Sequence, residues 1–309
     1  MNENMIKFGY IMNPGELHEF IWSLIGAADD PILVKPNWAN SLPQSFPHFQ
    51  ALFDMLDCFS SNSVYVIESY TAWRNHIYRN HFLNTNTIEW DSHVTPENGK
   101  DMWKWLKNED EWFLQFFGFK KYFRDHDVTY INCTEELWNG RTTSVEDVRR
   151  YLGEKSTLLQ NQSLLETVPE SLLKLRGHIL INFTKLYDTG LYVAKNLMGL
   201  IPEPNRTQYH GENNALLIQN IHDINIIYRS LFQVIDIVES LRSYHVIFSG
   251  TNPAQLDEIG CIVLGTELQD QYHDVKKARD VFGSYSPVSL SHIPLFIQDA
   301  IKGHASGRI

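Results

Sequence analysis

Two lysines that end apolar runs are the first residues here to suggest chemistry. In ILVKPN the run stops at Lys35, because Pro36 has no backbone donor and halts a strand. In HILINFTK a second run ends at Lys185. A lysine held among apolar residues is costly unless it meets an anion. A third run, VYVIES, delivers Glu68, and Arg74 follows soon after. Asn37 can turn the loop behind Lys35. DVTYINC delivers Glu135 and Glu136, and CIVLGT delivers Thr266 and Glu267, then Asp270 and Asp274. In α/β sheets, ligands collect at the carboxyl edge of the strands. Lysines and carboxylates meeting there can bind an anion, stabilise an enolate-like charge or move a proton. Two plainer roles stay open: Lys35 as a snorkelling surface lysine, and Glu68 as the ion-pair partner of one of these lysines.

The richest stretch is NFTKLYDTGLYVAKNLMGLIP, residues 182–202. Asp188 or Thr189 can cap a helix starting near Gly190. Leu191, Ala194 and Met198 then share a face, with Lys195 at its margin and Asn196 one position further round. Gly199 ends the helix or permits a close backbone approach. The N-terminus of such a helix favours an anion. His210 follows a Pro-rich turn, and Tyr187 sits two residues after Lys185. The candidate catalytic set is therefore Lys185, Lys195, Glu68, His210 and Tyr187. The candidate substrate-binding set is Lys35, Asn37, Arg74 and Asn196.

Cofactor signatures are missing. There is no HExxH or three-ligand spacing for a metal, and His76 and His81 do not share a helix face. No P-loop, GxSxG or nicotinamide-type GxGxxG occurs. Cys58, Cys133 and Cys261 are too few for an iron–sulfur cluster and are expected to be reduced, buried thiols. Whether a cofactor is used is left open. The net charge of −11 argues against nucleic acid or an anionic membrane as the main partner. No apolar run reaches the length of a membrane span, which points to a cytoplasmic protein.

These side chains need a frame. ILVK (32–35), SVYVIES (63–69), DVTYINC (127–133), HILINF (178–183) and CIVLGT (261–266) read as strands alternating with helical patterns. Runs this apolar are covered on both faces. The expectation is one α/β domain over 1–309, with a mostly parallel central sheet flanked by helices. Residues 73–124 interrupt it with an aromatic-rich helical insertion: Trp103, Trp112, Phe113, Phe116, Phe117, Phe119, Tyr122 and Phe123. That block reads as a helical subdomain or homodimer interface, or as a lid over a pocket.

The order of these pieces resembles the family called domain of unknown function 362. ILVKPNW matches its strand followed by Lys-Pro-Asn, and VYVIES its strand ending in an acid. ILINFTKLYDTGLYVAKNLMGLIP is similar to its strand, Lys motif and helix carrying Lys-Asn-x-x-Gly. His210 matches a histidine after a short loop, and SLFQVIDIVESL a helix running into an apolar-Asp segment. SGTNPAQLDEIGCIVLGTE is similar to its Gly-x-x-Pro turn and following strand. Tyr187 stands where the family usually has histidine, and Glu267 replaces an acid of another type. The resemblance implies a fold, not a reaction. The residues suggest an enzyme of the isomerase or lyase kind, and a place in specialised metabolite biosynthesis is the expectation that goes with it. It would act on a small carboxylate-bearing metabolite by racemisation, isomerisation or elimination. The alternative is a non-catalytic protein that binds a small ligand or a metal cofactor.

Overall fold

The computed structural model describes residues 6–26, 31–38, 46–71, 100–186, 192–203, 206–212, 215–239, 246–264, 282, 291, 293–295, 297 and 298. Among them, seven strands form one sheet. They are β1 Lys7–Tyr10, β2 Ile32–Lys35, β3 Val64–Glu68, β4 Thr129–Asn132, β5 Ile179–Lys185, β6 Gln233–Glu239 and β7 Val246–Gly250. Their order is β1-β7-β6-β5-β2-β3-β4. The inner pairings β2–β3, β2–β5, β3–β4 and β5–β6 are parallel. The β6–β7 and β1–β7 pairings are antiparallel. The expected α/β class with a mostly parallel sheet is present.

The helices are α1 Pro14–Ile25, α2 Phe46–Asp57, α3 Lys100–Phe116, α4 Phe119–Asp125, α5 Cys133–Trp138, α6 Val145–Leu152, α7 Glu170–Lys174, α8 Val193–Asn196, α9 Arg206–His210, α10 Leu217–Leu231 and α11 Pro253–Leu264. They sort onto two faces because strand side chains alternate. Val34, Val66, Phe183 and Ile237 face the layer of α1 to α4. Leu33, Ile67 and Leu180 face the layer that includes α6, α7 and α10. On α2, Phe49, Leu52 and Leu56 follow helical spacing and are all buried against the sheet.

The aromatic block divides its rings between two helices. Phe113 on α3 and Phe119 on α4 are fully buried and meet Trp38 at centroid distances of 5.3 and 4.8 Å. Phe49 of α2 joins them, so much of the described block is core over the sheet. Phe116 stays 47% exposed. Residues 72–99, which include Arg74, His76 and His81, lie outside the described residues.

Two sequence expectations need correction. The Cys261 run is not a strand: Cys261 to Leu264 end helix α11, on which Leu256 and Ile259 are buried at helical spacing. Tertiary packing overrides the strand preference of Ile262 and Val263 there. Conversely, SLFQVIDIVESL holds a full strand, β6, directly behind α10. Phe232 alone separates the two, so no turn signal marked the change. Strands β1 and β7 were not expected either. All three cysteines are free and buried. Among the described residues, no helix is long and apolar enough to cross a membrane.

Candidate functional site

The topology marks where to look. From β2 the chain steps outward to β3 and β4, then returns to the other side of β2 as β5 before continuing to β6. The carboxyl ends of β2 and β5 are thus the switch point of the sheet, where α/β proteins open a crevice. Lys35 and Lys185 end these two strands. They do not converge. Lys35 has the parity of Leu33, and Lys185 has the parity of Phe183, so the two leave on opposite faces.

On the Leu33 face the lysine is paired within the protein. The Lys35 Nζ donates to Glu68 Oε2 at 2.9 Å, Pro36 O at 2.7 Å and Asn196 Oδ1 at 3.3 Å. An ammonium has three donors, and these acceptors match all of them. Glu68 also accepts from the Ser69 amide at 3.1 Å. Asn196 donates to Asn182 at 2.8 Å, Asn182 to Asp236 at 2.8 Å, and Arg229 grips both Asp236 oxygens at 2.9 Å. The result is a continuous polar chain under α8. Gly199 is required where it is: a Cβ there would lie 2.7 Å from Lys35 Nζ and 2.8 Å from Glu68 Oε1. Asn37 bridges the switch point by donating to Thr184 Oγ1 at 3.0 Å.

The anion expected at the helix N-terminus is supplied by the protein. Asp257 of α11 accepts from the amides of Tyr192 and Val193 at 2.7 Å each, and from Ala194 at 3.3 Å. Burial lifts its carboxyl to about 7, with those amide bonds opposing the shift. The described helix starts at Val193, and the proposed caps Asp188 and Thr189 lie outside the described residues. So do Tyr187, Glu267, Asp270 and Asp274. Lys195 is half-buried on α8.

His210 ends α9, half-buried, with its carbonyl accepting from the Leu216 amide at 3.1 Å. Its neighbour Tyr209 packs into the core and approaches Ser163 Oγ at 3.3 Å. Glu135 and Glu136 fall in the first turn of α5, where negative charge suits the helix dipole. Glu135 accepts from Tyr70 Oη, and Glu136 pairs with Arg141 at 2.7 Å.

The opposite face carries a different set. Lys185 of β5 and Glu239 of β6 are direct cross-strand neighbours, both buried. His48 of α2 is also fully buried, stacks on Phe183 at 4.8 Å, and holds Glu239 Oε2 through Nδ1 at 3.1 Å. Glu239 Oε1 and His48 Nε2 are buried with no hydrogen-bond partner. Burial raises the Glu239 carboxyl to about 8, with nearby Lys185 opposing the shift. Burial lowers Lys185 to about 7, with Glu239 opposing. His48 is pushed well below the usual imidazole range, first by burial and then by Lys185, so it is neutral near pH 7.

Glu239 and Phe183 also line a cavity of about 310 Å³ between α2 and the segment leading into α1. Sequence reasoning missed His48 and Glu239. Glu239 carried the same signal as Glu68, a charge ending an apolar run, but its strand had gone unrecognised. His48 was concealed in the apolar face of FPHFQALFDML. Among the described residues, no three His, Cys, Asp or Glu side chains converge to hold a metal ion. No family model matches the chain, and neither a curated protein nor a solved structure matches it.

Proposed function

We propose that this chain is an enzyme that moves a proton on a small metabolite, with Glu239 as the group that meets the substrate. One observation carries the reading. Glu239 has a buried oxygen without a partner, lines a cavity, and has its other oxygen held by His48. A general base works best with a pKa near the operating pH, and burial brings Glu239 to about 8. The ionised Glu239 would take a proton from a carbon next to a carbonyl, and the acid so formed would return it. Lys185 and His48 act through Glu239 as positioning residues: the lysine sets its charge, and the imidazole sets its orientation. Racemisation, isomerisation and elimination all begin with this step.

A Schiff base finds less support. Lys185 has the lowered pKa such chemistry wants, but it is fully buried and is not among the described residues lining the cavity. Lys35 gives its donors to protein acceptors, so it is read as structural. The likeness to domain of unknown function 362 stays part of the proposal. In its favour, Lys35 of the first motif contacts Asn196 of the second, and Gly199 sits against the Lys35–Glu68 pair.

The test needs no known substrate. The protein is incubated with pooled cellular metabolites in D₂O, and carbon-bound deuterium is read by mass spectrometry. At least one compound is expected to gain label with the wild type and not with Glu239→Gln. No labelled compound, or labelling unchanged by Glu239→Gln, would sink the reading.

A further inference from the structure

The cavity beside Glu239 has a chemical bias that the lysines at the strand ends did not foretell. Its walls are apolar on several sides: Ile11, Leu17, Phe183 and Ile247. Its polar lining side chains are Asn13, Gln50, Asp54 and Glu239, and the two carboxylates among them can only accept when ionised. Glu239 lines the cavity, and its Oε1 is enclosed by protein without a hydrogen-bond partner. Gln50 turns its amide nitrogen to Asp54 Oδ1 at 2.8 Å, which leaves the Gln50 carbonyl for a ligand. Asp54 adds a second carboxylate, half-buried at the wall. Among the described lining residues there is no lysine, arginine or histidine. Among the described lining residues an anionic ligand would meet two carboxylates and no cation.

We propose that this cavity binds a small organic amine, with its ammonium on Glu239 Oε1 and its apolar body between Phe183, Leu17 and Ile247. The geometry supports each half. A buried acceptor without a partner is stabilised most by a charged donor, because that bond replaces lost hydration and adds charge attraction. The volume of about 310 Å³ lies at the small end of ligand pockets, which suits a single ring or short chain. Asp54 then reinforces the positive head from the wall. The inference rests on Glu239 meeting the substrate, as in the proposed function, and adds the substrate's class: an amine whose reacting C–H lies beside the Glu239 carboxylate.

The experiment is isothermal titration calorimetry of the whole protein with benzylamine, benzyl alcohol and benzoate, which share a ring and differ in head group. Benzylamine is expected to bind most tightly and benzoate least. Glu239→Gln is expected to weaken benzylamine by about tenfold or more, because it removes one member of a buried charge pair. Asp54→Asn, at a half-buried site, is expected to weaken benzylamine a few-fold while leaving benzyl alcohol unchanged. Benzoate binding as tightly as benzylamine, or no benzylamine binding, overturns the assignment. So does benzylamine affinity that survives both substitutions. If circular dichroism finds Glu239→Gln unfolded, the wild-type ranking and Asp54→Asn decide alone. The two readings separate cleanly. Amine binding without deuterium exchange removes the enzyme and keeps the site, whereas exchange on an acidic compound with benzoate preferred does the reverse.

Discussion

The two faces of the sheet edge carry nearly the same residues and put them to different use. On one face Lys35 meets Glu68, and both are enclosed in a hydrogen-bonded chain that reaches Arg229. On the other, Lys185 neighbours Glu239 and His48, where two buried polar atoms have no partner and a cavity adjoins. The first set is complete without a ligand. The second is not. Residue type alone does not separate a structural ion pair from a reactive one; the count of satisfied donors and acceptors does.

The largest expected effect belongs to the closed face. Lys35→Met would leave the Glu68 carboxylate buried without its cation, a loss of about 3–5 kcal/mol. Chemical denaturation would read it. Lys35→Met combined with Glu68→Leu should recover most of that loss, since an apolar pair of similar volume needs no desolvation of charge. If the single variant is as stable as the wild type, the pair is not the structural centre of this face.

The open face should announce itself through pH. Glu239 has a folded pKa of about 8 against its ordinary 4.5, so the folded state holds this proton more tightly. Its contribution is present below 4.5 and is lost as pH rises through 8. Lys185 has a folded pKa of about 7 against 10.5, so the unfolded state binds that proton more tightly. Stability therefore returns as pH climbs from about 7 to 10.5. The two trends give a trough of a few kcal/mol near pH 7–8, which should be shallower in the double variant Lys185→Met, Glu239→Gln. Melting midpoints from pH 5 to 10 would test this, and an unchanged trough in the double variant would assign it to other groups.

Gly199→Ala is expected to cost less, about 1–3 kcal/mol, because its methyl would press on Lys35 and Glu68. A neutral result would mean α8 can shift away from the pair. Smallest is Lys195→Met. Lys195 is only half-buried, so its loss is expected to cost less than that of the fully buried Lys35, about 1 kcal/mol. A loss as large as that of Lys35→Met would place Lys195 inside the closed network.

The inner strands were legible where the code was strongest. ILVK, VYVIE, TYIN and ILINFTK are short apolar or β-branched runs between helical patterns, and each is a parallel strand. Legibility failed where local preference and packing disagree. The apolar run Cys261-Ile262-Val263-Leu264 stays helical because it continues α11, which is buried through Leu256, Ile259 and Cys261 beside β6 and β7. Strand β6 was hidden because α10 runs into it almost without a break. With β6 unseen, Glu239 could not be placed beside Lys185, and one imagined cluster stood for two.

By itself the sequence determined the α/β class and the charged ends of β2, β3 and β5, and offered a close approach as one of two roles for Gly199. These follow from local rules: hydrophobic period, a proline stop, and the missing Cβ of glycine. Only the tertiary structure decided which charges meet. Strand alternation sent Lys35 and Lys185 to opposite faces, parallel register set Glu239 beside Lys185, and packing of α2 brought His48 across a sequence distance of 191 residues. Partnership between buried charges depends on register and on which helix covers which face, and neither is written in any one segment.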